Sequence, residues 1–175
     1  TQIATAVERK KMMARLEHLA LYDQLTRLPN RTLFYDRIHS AIARAKRNSS
    51  IFSLLYLDLN KFKTINDQYG HTTGDLLLEQ VARRLEQCVR ECDTVVRFGG
   101  DEFVILLENI HRTDESQKII QKIKATFGAA FDLAGTQINI MPSIGIAHYP
   151  EDGDSDAQLL RKADQSMYQE KYQPD

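Results

Sequence analysis

Residues 96–107 read VRFGGDEFVILL, two adjacent glycines and two adjacent acids between apolar segments. The apolar segments are rich in β-branched and aromatic residues, which predicts two strands joined by a tight turn. We therefore expect a hairpin that carries Asp101 and Glu102 at its tip. Glycines leave room for a bulky ligand, and carboxylates supply the hard oxygen ligands that Mg²⁺ prefers. On this stretch alone, a ligand site and an ordinary solvated turn are equally good interpretations.

A second acidic stretch favours a site. Residues 53–63 read SLLYLDLNKFK, an apolar run of buried-strand length that ends at Asp58 and then becomes polar and basic. If this strand is a neighbour of the hairpin in one sheet, Asp58 and Asp101 converge at one edge, where they repel each other unless a cation neutralises them. The alternative, in which Asp58 only caps the following helix, is compatible with metal binding. Together the two stretches predict a Mg²⁺ site at which nucleotide phosphates supply further ligands.

Hydrophobic periodicity in the rest of the chain predicts alternating strands and helices in the order βααββαββα. We expect strands at 52–57, 95–98, 103–107, 137–141 and 144–149, and helices at 33–48, from 61, from 74, and at 119–131 and 159–168. This order predicts an α+β fold with a ferredoxin-like or palm-type βαββαβ core and extra elements. Its central, mostly antiparallel sheet would be flanked by helices, packed on one face.

The composition suits one such core. The chain has 175 residues, of which 42% are hydrophobic, enough for one good core and little more. Its formal net charge of −1 provides no overall field to attract nucleic acid or a membrane surface. No apolar run has bilayer-spanning length and no signal peptide is visible. We therefore expect a cytoplasmic fragment that contacts neither nucleic acid nor membrane, although its full-length parent can be membrane-anchored.

Residues 1–20 are interpreted as a separate leader, and residues 21–175 as the domain. Apolar residues recur in the leader at near-helical spacing among charged ones, at Ile3, Val7, Met12, Leu16 and Leu19. This pattern predicts an amphipathic helix. Two interpretations stay open: the helix folds back on the domain, or it forms a coiled coil that joins an upstream sensor and a second protomer.

Several ordered motifs resemble those of a known family. They lie at 23–31 (DQLTRLPNR), 58–63 (DLNKFK), 65–75 (INDQYGHTTGD), 99–103 (GGDEF), 143–147 (SIGIA) and 162–168 (KADQSMY). In this order and spacing they make residues 21–171 similar to the GGDEF domain, the catalytic module of bacterial diguanylate cyclases. The resemblance implies an enzyme that condenses two GTP molecules into cyclic di-GMP and two pyrophosphates. Each subunit of an antiparallel homodimer would bind one nucleotide.

The resemblance also implies metal ligands. Two Mg²⁺ or Mn²⁺ ions per half-site would be held by the carboxylates of Asp58, Asp101 and Glu102 and by the carbonyl oxygen of Leu59. Glu102 would help to ligate the second ion or assist the attacking hydroxyl. Gly99 and Gly100 would leave space for the nucleotide.

Five more positions are implied to contact the nucleotide: Asn66 and Asp75 the guanine, and Phe62, Lys63 and Lys171 the phosphates. An amide and a carboxylate match the donors and acceptors of the guanine edge, a pattern that selects guanine over adenine. Without the family, Asn66 and Asp75 are better explained as helix-end caps.

Two departures from the family pattern carry expectations of their own. Asn60 stands where the family often has Asp, and we expect little effect. Pro174 and Asp175 stand where the family commonly has Gly and a basic residue. A phosphate contact is therefore missing, which predicts weaker binding of the triphosphate.

Arg90 and Asp93 form an Arg-x-x-Asp pair ahead of the glycines. In the family, this pair is the product-binding inhibitory site, and Arg can clamp phosphate while Asp accepts from guanine. The alternative is a local salt bridge at a helix end. For the whole domain, the alternative to a cyclase is a catalytically weak module that binds GTP or cyclic di-GMP and regulates an attached phosphodiesterase or other output domain.

Overall fold

The computed structural model describes residues 2–172 of the chain. In order, its elements are α1 (Gln2–Leu21), α2 (Arg31–Asn48), β1 (Ile51–Leu59), α3 (Phe62–Tyr69), α4 (His71–Cys88), β2 (Thr94–Arg97), β3 (Glu102–Ile110), α5 (Asp114–Phe127), β4 (Phe131–Leu133), β5 (Thr136–Ile138), β6 (Pro142–Tyr149) and α6 (Asp156–Tyr172). The departures at Pro174 and Asp175 lie outside the described residues.

The central sheet has four strands in the order β2-β3-β1-β6, and every neighbouring pair is antiparallel. Strands β4 and β5 form a separate small hairpin. Taken without that hairpin, the domain from β1 onward has the βαββαβ arrangement of the ferredoxin-like fold. The α+β prediction with an antiparallel central sheet is confirmed.

Helices cover both faces of the sheet, so the expectation that they pack on one face is wrong. One apolar cluster joins Leu55, Leu57 and Leu59 of β1 to α4, α5 and the β4–β5 hairpin. The other joins Leu54 and Tyr56 to α2 and α6. A strand buried on both faces reads as a continuous apolar run instead of an alternating one. The burial of every residue from Phe52 to Leu57 matches this pattern.

The hairpin formed by β4 and β5 corrects two predicted boundaries. Residue 131 was expected at the end of a helix, yet α5 ends at Phe127 and Phe131 begins β4. The following turn has positive φ at Ala134 and Gly135, and the Gly135 N–H donates to the Asp132 carboxylate at 2.8 Å. The next strand is therefore 136–138, earlier than predicted. A glycine that accepts positive φ in a two-residue turn was the available signal.

The leader helix α1 extends to Leu21, and within Gln2–Leu21 no side chain is buried. Ile3 is 79% exposed and Leu16 57%, so the apolar stripe does not fold back on the domain. Two hydrogen bonds of Asn30 connect the end of α1 to the start of α2: its side chain donates to the Ala20 carbonyl and accepts from the Leu33 N–H. Within residues 2–172 no helix combines the length and apolar character that crossing a bilayer requires.

Candidate active site

The two acidic stretches meet at one edge of the sheet, as the sequence predicts. Strand β1 ends beside the start of β3, and Asp58 is the cross-strand partner of Glu102. The Leu59 N–H donates to the Asp101 carbonyl at 3.2 Å. Asp58 does not cap the next helix, whose N-cap position is held by Lys61. The strand-end carboxylates are therefore grouped by sheet pairing.

Burial and mutual repulsion raise the pKa of two of these acids. For Asp101, burial comes first and the negative charge of Asp58 adds to it. For Glu102, burial again comes first, and the charges of Asp58 and Asp101 add to it against a hydrogen-bond interaction with Tyr56. A divalent cation would relieve this repulsion, and carboxylate oxygens are the ligands that Mg²⁺ or Mn²⁺ takes. The donor set therefore fits a Mg²⁺ or Mn²⁺ ion.

Asp58 has a cationic partner of its own in the structure. The Lys171 ammonium on the last turn of α6 donates to Asp58 Oδ1 at 2.7 Å. This hydrogen bond to Asp58 raises the pKa of Lys171. Within residues 2–172 no group of three or more metal-ligating side chains is already gathered for an ion.

Asp101 and Glu102 face different surroundings. Asp101 lines an open cleft beside α3 and α4. Glu102 instead interacts with Tyr56 of β1, which lowers its pKa, and with the negative charge of Asp164 of α6, which raises it. Tyr56 precedes Asp58 by two residues and so lies on the same face of β1, diagonal to Glu102 across the strand pair. The two adjacent acids thus lie on opposite sides of the sheet edge.

The two glycines of the turn serve different purposes. A Cβ on Gly100 would meet open space, so this residue leaves room beside the cleft as expected. A Cβ on Gly99 would lie 2.5 Å from Glu102 Oε2, so Gly99 makes room for that carboxylate. The glycines of residues 2–172 that have positive φ are Gly70, Gly135 and Gly153. The turn therefore uses the small size of its glycines.

A cleft of about 420 Å³ lies next to the acids and gathers most of the residues predicted to contact nucleotide. Its lining includes Phe62, Lys63, Asn66, Asp75, Gly100 and Asp101, together with Asp67, His71, Leu78 and Arg97. Lys171 and Asp58 lie outside this lining, at the adjoining edge.

Asn66 has the mark of a ligand-binding residue. Its side-chain oxygen is buried and has no hydrogen-bond partner among residues 2–172. A Cβ on Gly74 would overlap this oxygen, so the glycine of α4 leaves the space that the amide occupies. Buried polar atoms without partners are rare in folded proteins. The capping alternative fails here, since neither α3 nor α4 has a side-chain N-cap bond, and Asn66 and Asp75 both lie inside their helices.

Arg90 and Asp93 form the local salt bridge that the sequence left as an alternative. The fully buried Asp93 carboxylate accepts from the Arg90 Nε at 3.2 Å, from the Arg90 N–H and from the Glu108 N–H. Arg90 also donates to the Glu108 carbonyl at 2.8 Å. The Arg90 side chain is half-exposed and lines two clefts, of about 330 and 290 Å³. Product binding at this pair stays a prediction.

Two residues of the site were not predicted from the sequence. Arg97 lines the cleft and donates to Asp23 and to the Gly100 carbonyl. Tyr56 faces Glu102, and burial followed by the Glu102 charge raises the pKa of Tyr56. The available signals were a basic residue two positions before the glycines, and a polar residue two positions before Asp58 on the same face of the strand.

Comparisons with known proteins find relatives over most of the chain. A family model described as diguanylate cyclase, GGDEF domain, matches residues 20–175. The chain is 44% identical over 158 residues to the bifunctional diguanylate cyclase/cyclic di-GMP phosphodiesterase MucR of Pseudomonas aeruginosa, covering 90% of this chain and 23% of MucR. It is 40% identical over 156 residues to the diguanylate cyclase TpbB of the same species, covering 89% of this chain and 36% of TpbB. The chain thus spans about a quarter to a third of these relatives' length.

Solved structures share the fold. A GGDEF-domain structure of TpbB, also called YfiN, from Pseudomonas aeruginosa superposes with a TM-score of 0.85 at 39% identity, over 87% of this chain and 90% of that one. The coiled coil and GGDEF domain of DgcB from Caulobacter crescentus, in complex with c-di-GMP, superposes with a TM-score of 0.88 over 97% of this chain and 90% of that one. At 24% identity, this second likeness concerns the fold alone.

Proposed function

Because the chain belongs to the GGDEF domain family of diguanylate cyclases, we propose that it condenses two molecules of GTP into cyclic di-GMP and two pyrophosphates. The observation that carries this proposal is that Asp101, beside Asp58 and Glu102 at the sheet edge, shares one cleft with Asn66, whose side-chain oxygen is buried without a partner. A site with these parts suits a nucleotide whose base enters the cleft and whose phosphates lie at the acidic edge.

Guanine recognition is assigned to Asn66 and Asp75. The Asn66 oxygen needs a donor, and guanine offers N1–H and an exocyclic amino group on one edge. The exposed Asp75 carboxylate on the same cleft accepts from that edge as well. Adenine presents an acceptor at N1 and has no 2-amino group, so a carboxylate placed for guanine would meet a lone pair and stay unpaired, which costs about 1–3 kcal/mol.

The phosphates are assigned to the start of α3 and the end of α6. Phe62 and Lys63 form the first turn of α3, where free backbone N–H groups and the positive end of the helix dipole favour anions. Lys63 and Lys171 add charge-assisted contacts. The Asp58, Asp101 and Glu102 carboxylates and the Leu59 carbonyl are assigned to two Mg²⁺ or Mn²⁺ ions. When bound, these ions neutralise charge on the α-phosphate and lower the pKa of the attacking 3′-hydroxyl.

In the proposed reaction, the 3′-oxygen of one GTP forms a bond to the α-phosphorus of the other. The bond from that phosphorus to the oxygen bridging the α- and β-phosphates breaks, and pyrophosphate leaves with its electron pair. The same transfer from the 3′-oxygen of the second nucleotide to the α-phosphorus of the first closes the ring and releases the second pyrophosphate. The 3′-hydroxyl proton is assigned to the Glu102 carboxylate, opposite Asp58 at the sheet edge, or to solvent. The protein otherwise contributes position and electrostatic stabilisation, as is general in phosphoryl transfer.

Each protomer holds one GTP, so synthesis requires two protomers that meet antiparallel as a homodimer. The exposed apolar side chains of α1 suit a helix that pairs with its counterpart and joins an upstream sensor domain. We assign the reaction to the cytoplasm and the Arg90–Asp93 pair to feedback inhibition by cyclic di-GMP. Binding there would use the exposed part of Arg90, because the Asp93 carboxylate already has partners.

The experiment is incubation of the protein with GTP and Mg²⁺ at several protein concentrations, followed by chromatography of the nucleotides. We expect cyclic di-GMP to form with a steeper than linear dependence on protein concentration, and Asp101→Asn to abolish it. Slowing at late times that disappears in Arg90→Ala would support product inhibition. Absence of cyclic di-GMP from the wild type at every concentration, including a crosslinked dimer, would refute the cyclase proposal.

The alternative is a module that binds GTP or cyclic di-GMP and regulates an attached output domain. This alternative is favoured by the relatives of the chain, which include a bifunctional diguanylate cyclase/cyclic di-GMP phosphodiesterase and, at 35% identity, the cyclic di-GMP phosphodiesterase NbdA of Pseudomonas aeruginosa. GTP binding without turnover would favour this alternative. Turnover would exclude it.

A further inference from the structure

Lys171 and Asp58 are joined by a partly buried ion pair at the metal edge of the site. The ammonium lies 2.7 Å from Asp58 Oδ1, and the two side chains are 29% and 15% exposed. Neighbouring contacts anchor the same turn of α6, because Glu170 pairs with Lys124 of α5 and accepts from the Ile144 N–H of β6. The backbone at Lys171 is thus held in place while its four-carbon side chain can rotate.

We propose that Lys171 is a stand-in for the metal in the metal-free protein: its ammonium neutralises Asp58 until a divalent cation binds, and it is then released to hold a phosphate of the nucleotide. The inference rests on the proposed function, because it takes Asp58 as a metal ligand. It adds that one lysine exchanges partners and so links the metal site to the phosphate site.

The chemistry of the edge supports an exchange. Asp58 is the cross-strand partner of Glu102, and its negative charge also acts on Asp101, so uncompensated charge at this edge is unfavourable. A single ammonium offsets part of that charge. A divalent ion on Asp58 would place two positive charges beside the ammonium, doubling the repulsion that a single charge would exert at the same distance. The ammonium would therefore move away from Asp58 when the ion binds, and a triphosphate offers it new acceptor oxygens.

The proposed exchange predicts the direction in which metal affinity changes when Lys171 is removed. In the absence of nucleotide, Lys171 competes with the metal for Asp58, so its removal should tighten metal binding. A lysine that serves only the phosphates would leave metal binding by the nucleotide-free protein unchanged. The expected gain for a partly buried ion pair is about threefold to tenfold in affinity.

The test is titration of the nucleotide-free protein with Mn²⁺, with free Mn²⁺ measured by electron paramagnetic resonance. Lys171→Met and Lys171→Gln remove the ammonium, while Lys171→Arg keeps a positive charge. Lys63→Met is the matched control, because Lys63 lines the nucleotide cleft but lies outside the Asp58 ion pair. Asp58→Asn reports whether Asp58 is a ligand. Circular dichroism and thermal unfolding establish that each variant is folded.

We expect both neutral Lys171 variants to bind Mn²⁺ about threefold to tenfold more tightly than the wild type, with Lys63→Met within about twofold and Lys171→Arg near the wild type. Unchanged or weaker binding in both neutral variants overturns the inference, as does an equal gain in Lys63→Met. Failure to detect Mn²⁺ binding in any protein overturns it too. If Asp58→Asn binds as tightly as the wild type, the metal assignment of the proposed function fails instead. Absence of cyclic di-GMP synthesis leaves this titration unaffected.

Discussion

Arg97 and Asp23 form an ion pair at 3.1 Å across 74 positions of sequence. Asp23 lies in the turn that follows the leader helix, and Arg97 ends strand β2 just before the glycine turn. Arg97 also donates to the Gly100 carbonyl at 2.9 Å, while Thr26 donates to Asp23 through both its N–H and its hydroxyl. The end of the leader is thereby connected to the rim of the nucleotide cleft.

Asp23→Asn should lower the free energy of unfolding by about 1–2 kcal/mol at neutral pH, because it leaves Arg97 without its carboxylate partner. Burial tends to raise the pKa of Asp23, but hydrogen bonds from Thr26 and Arg97 outweigh it and the pKa is lowered from 3.8. The stabilisation is therefore present above the unfolded value and is lost as the pH falls through the folded one. Urea unfolding between pH 7 and 3 measures this. The exposed Asp36→Asn is the control, and equal effects of the two would contradict the prediction.

Asp101→Asn should stabilise the metal-free protein while abolishing synthesis. Burial and the Asp58 charge raise the pKa of Asp101, so the ionised carboxylate is unfavourable in the folded state at neutral pH. We expect a gain of up to about 1 kcal/mol, discounted for partial exposure. The gain should vanish as the pH falls through the raised folded pKa toward 3.8. Thermal unfolding in EDTA measures it, and a destabilised variant at pH 7 would show the prediction to be wrong.

Gly74→Ala should weaken GTP binding without unfolding the protein. The added methyl overlaps the buried side-chain oxygen of Asn66 and so displaces an amide that lines the cleft, although alanine inside a helix is otherwise about 1 kcal/mol more favourable than glycine. We expect at least a tenfold loss in GTP affinity, about 1.4 kcal/mol. Equilibrium dialysis with GTP measures this, with Thr72→Ala on the exposed side of α4 as control. Equal GTP affinity in the two variants would remove Asn66 from the binding site.

Tyr56→Phe should lower kcat about tenfold, since groups that orient a metal ligand commonly have effects of this size. The substitution removes the hydroxyl that faces Glu102 and keeps the ring, whose centroid lies 5.7 Å from that of Phe98. Steady-state kinetics with Mg²⁺ and GTP should show KM nearly unchanged. Tyr149→Phe is the matched control, because Tyr149 is also buried on the sheet and its ring stacks on Phe52. A similar small loss in both variants would assign Tyr56 a packing role.

Leu16→Glu should weaken self-association and leave the stability of the domain unchanged. Leu16 is 57% exposed on α1, so the introduced glutamate does not enter the hydrophobic core. The free energy of unfolding should therefore change by less than about 0.5 kcal/mol. Sedimentation equilibrium of the variant measures the dimer constant, with the exposed Ala14→Glu as control. A dimer as tight as that of the wild type would place the protomer contact outside the leader helix.

The sequence alone determined the fold class and the acidic edge. The apolar run ending at Asp58 and the hairpin that carries Asp101 and Glu102 are local patterns, and the structure supplies the pairing of β1 with β3 that brings them together. Local patterns suffice because strand and helix periodicities record which positions face a core. The motifs also indicated Asn66 and Asp75, which the structure places on one cleft.

Tertiary structure decided which side chains meet. Apolar periodicity shows that a helix has a buried face, but the face of the sheet on which it docks depends on packing, so helices on both faces were not predicted. The same limit hid the contact of Lys171 with Asp58, which are 113 positions apart, and that of Arg97 with Asp23. A charge has no local signature of its partner, because long-range ion pairs form only where docked helices and turns bring two side chains together.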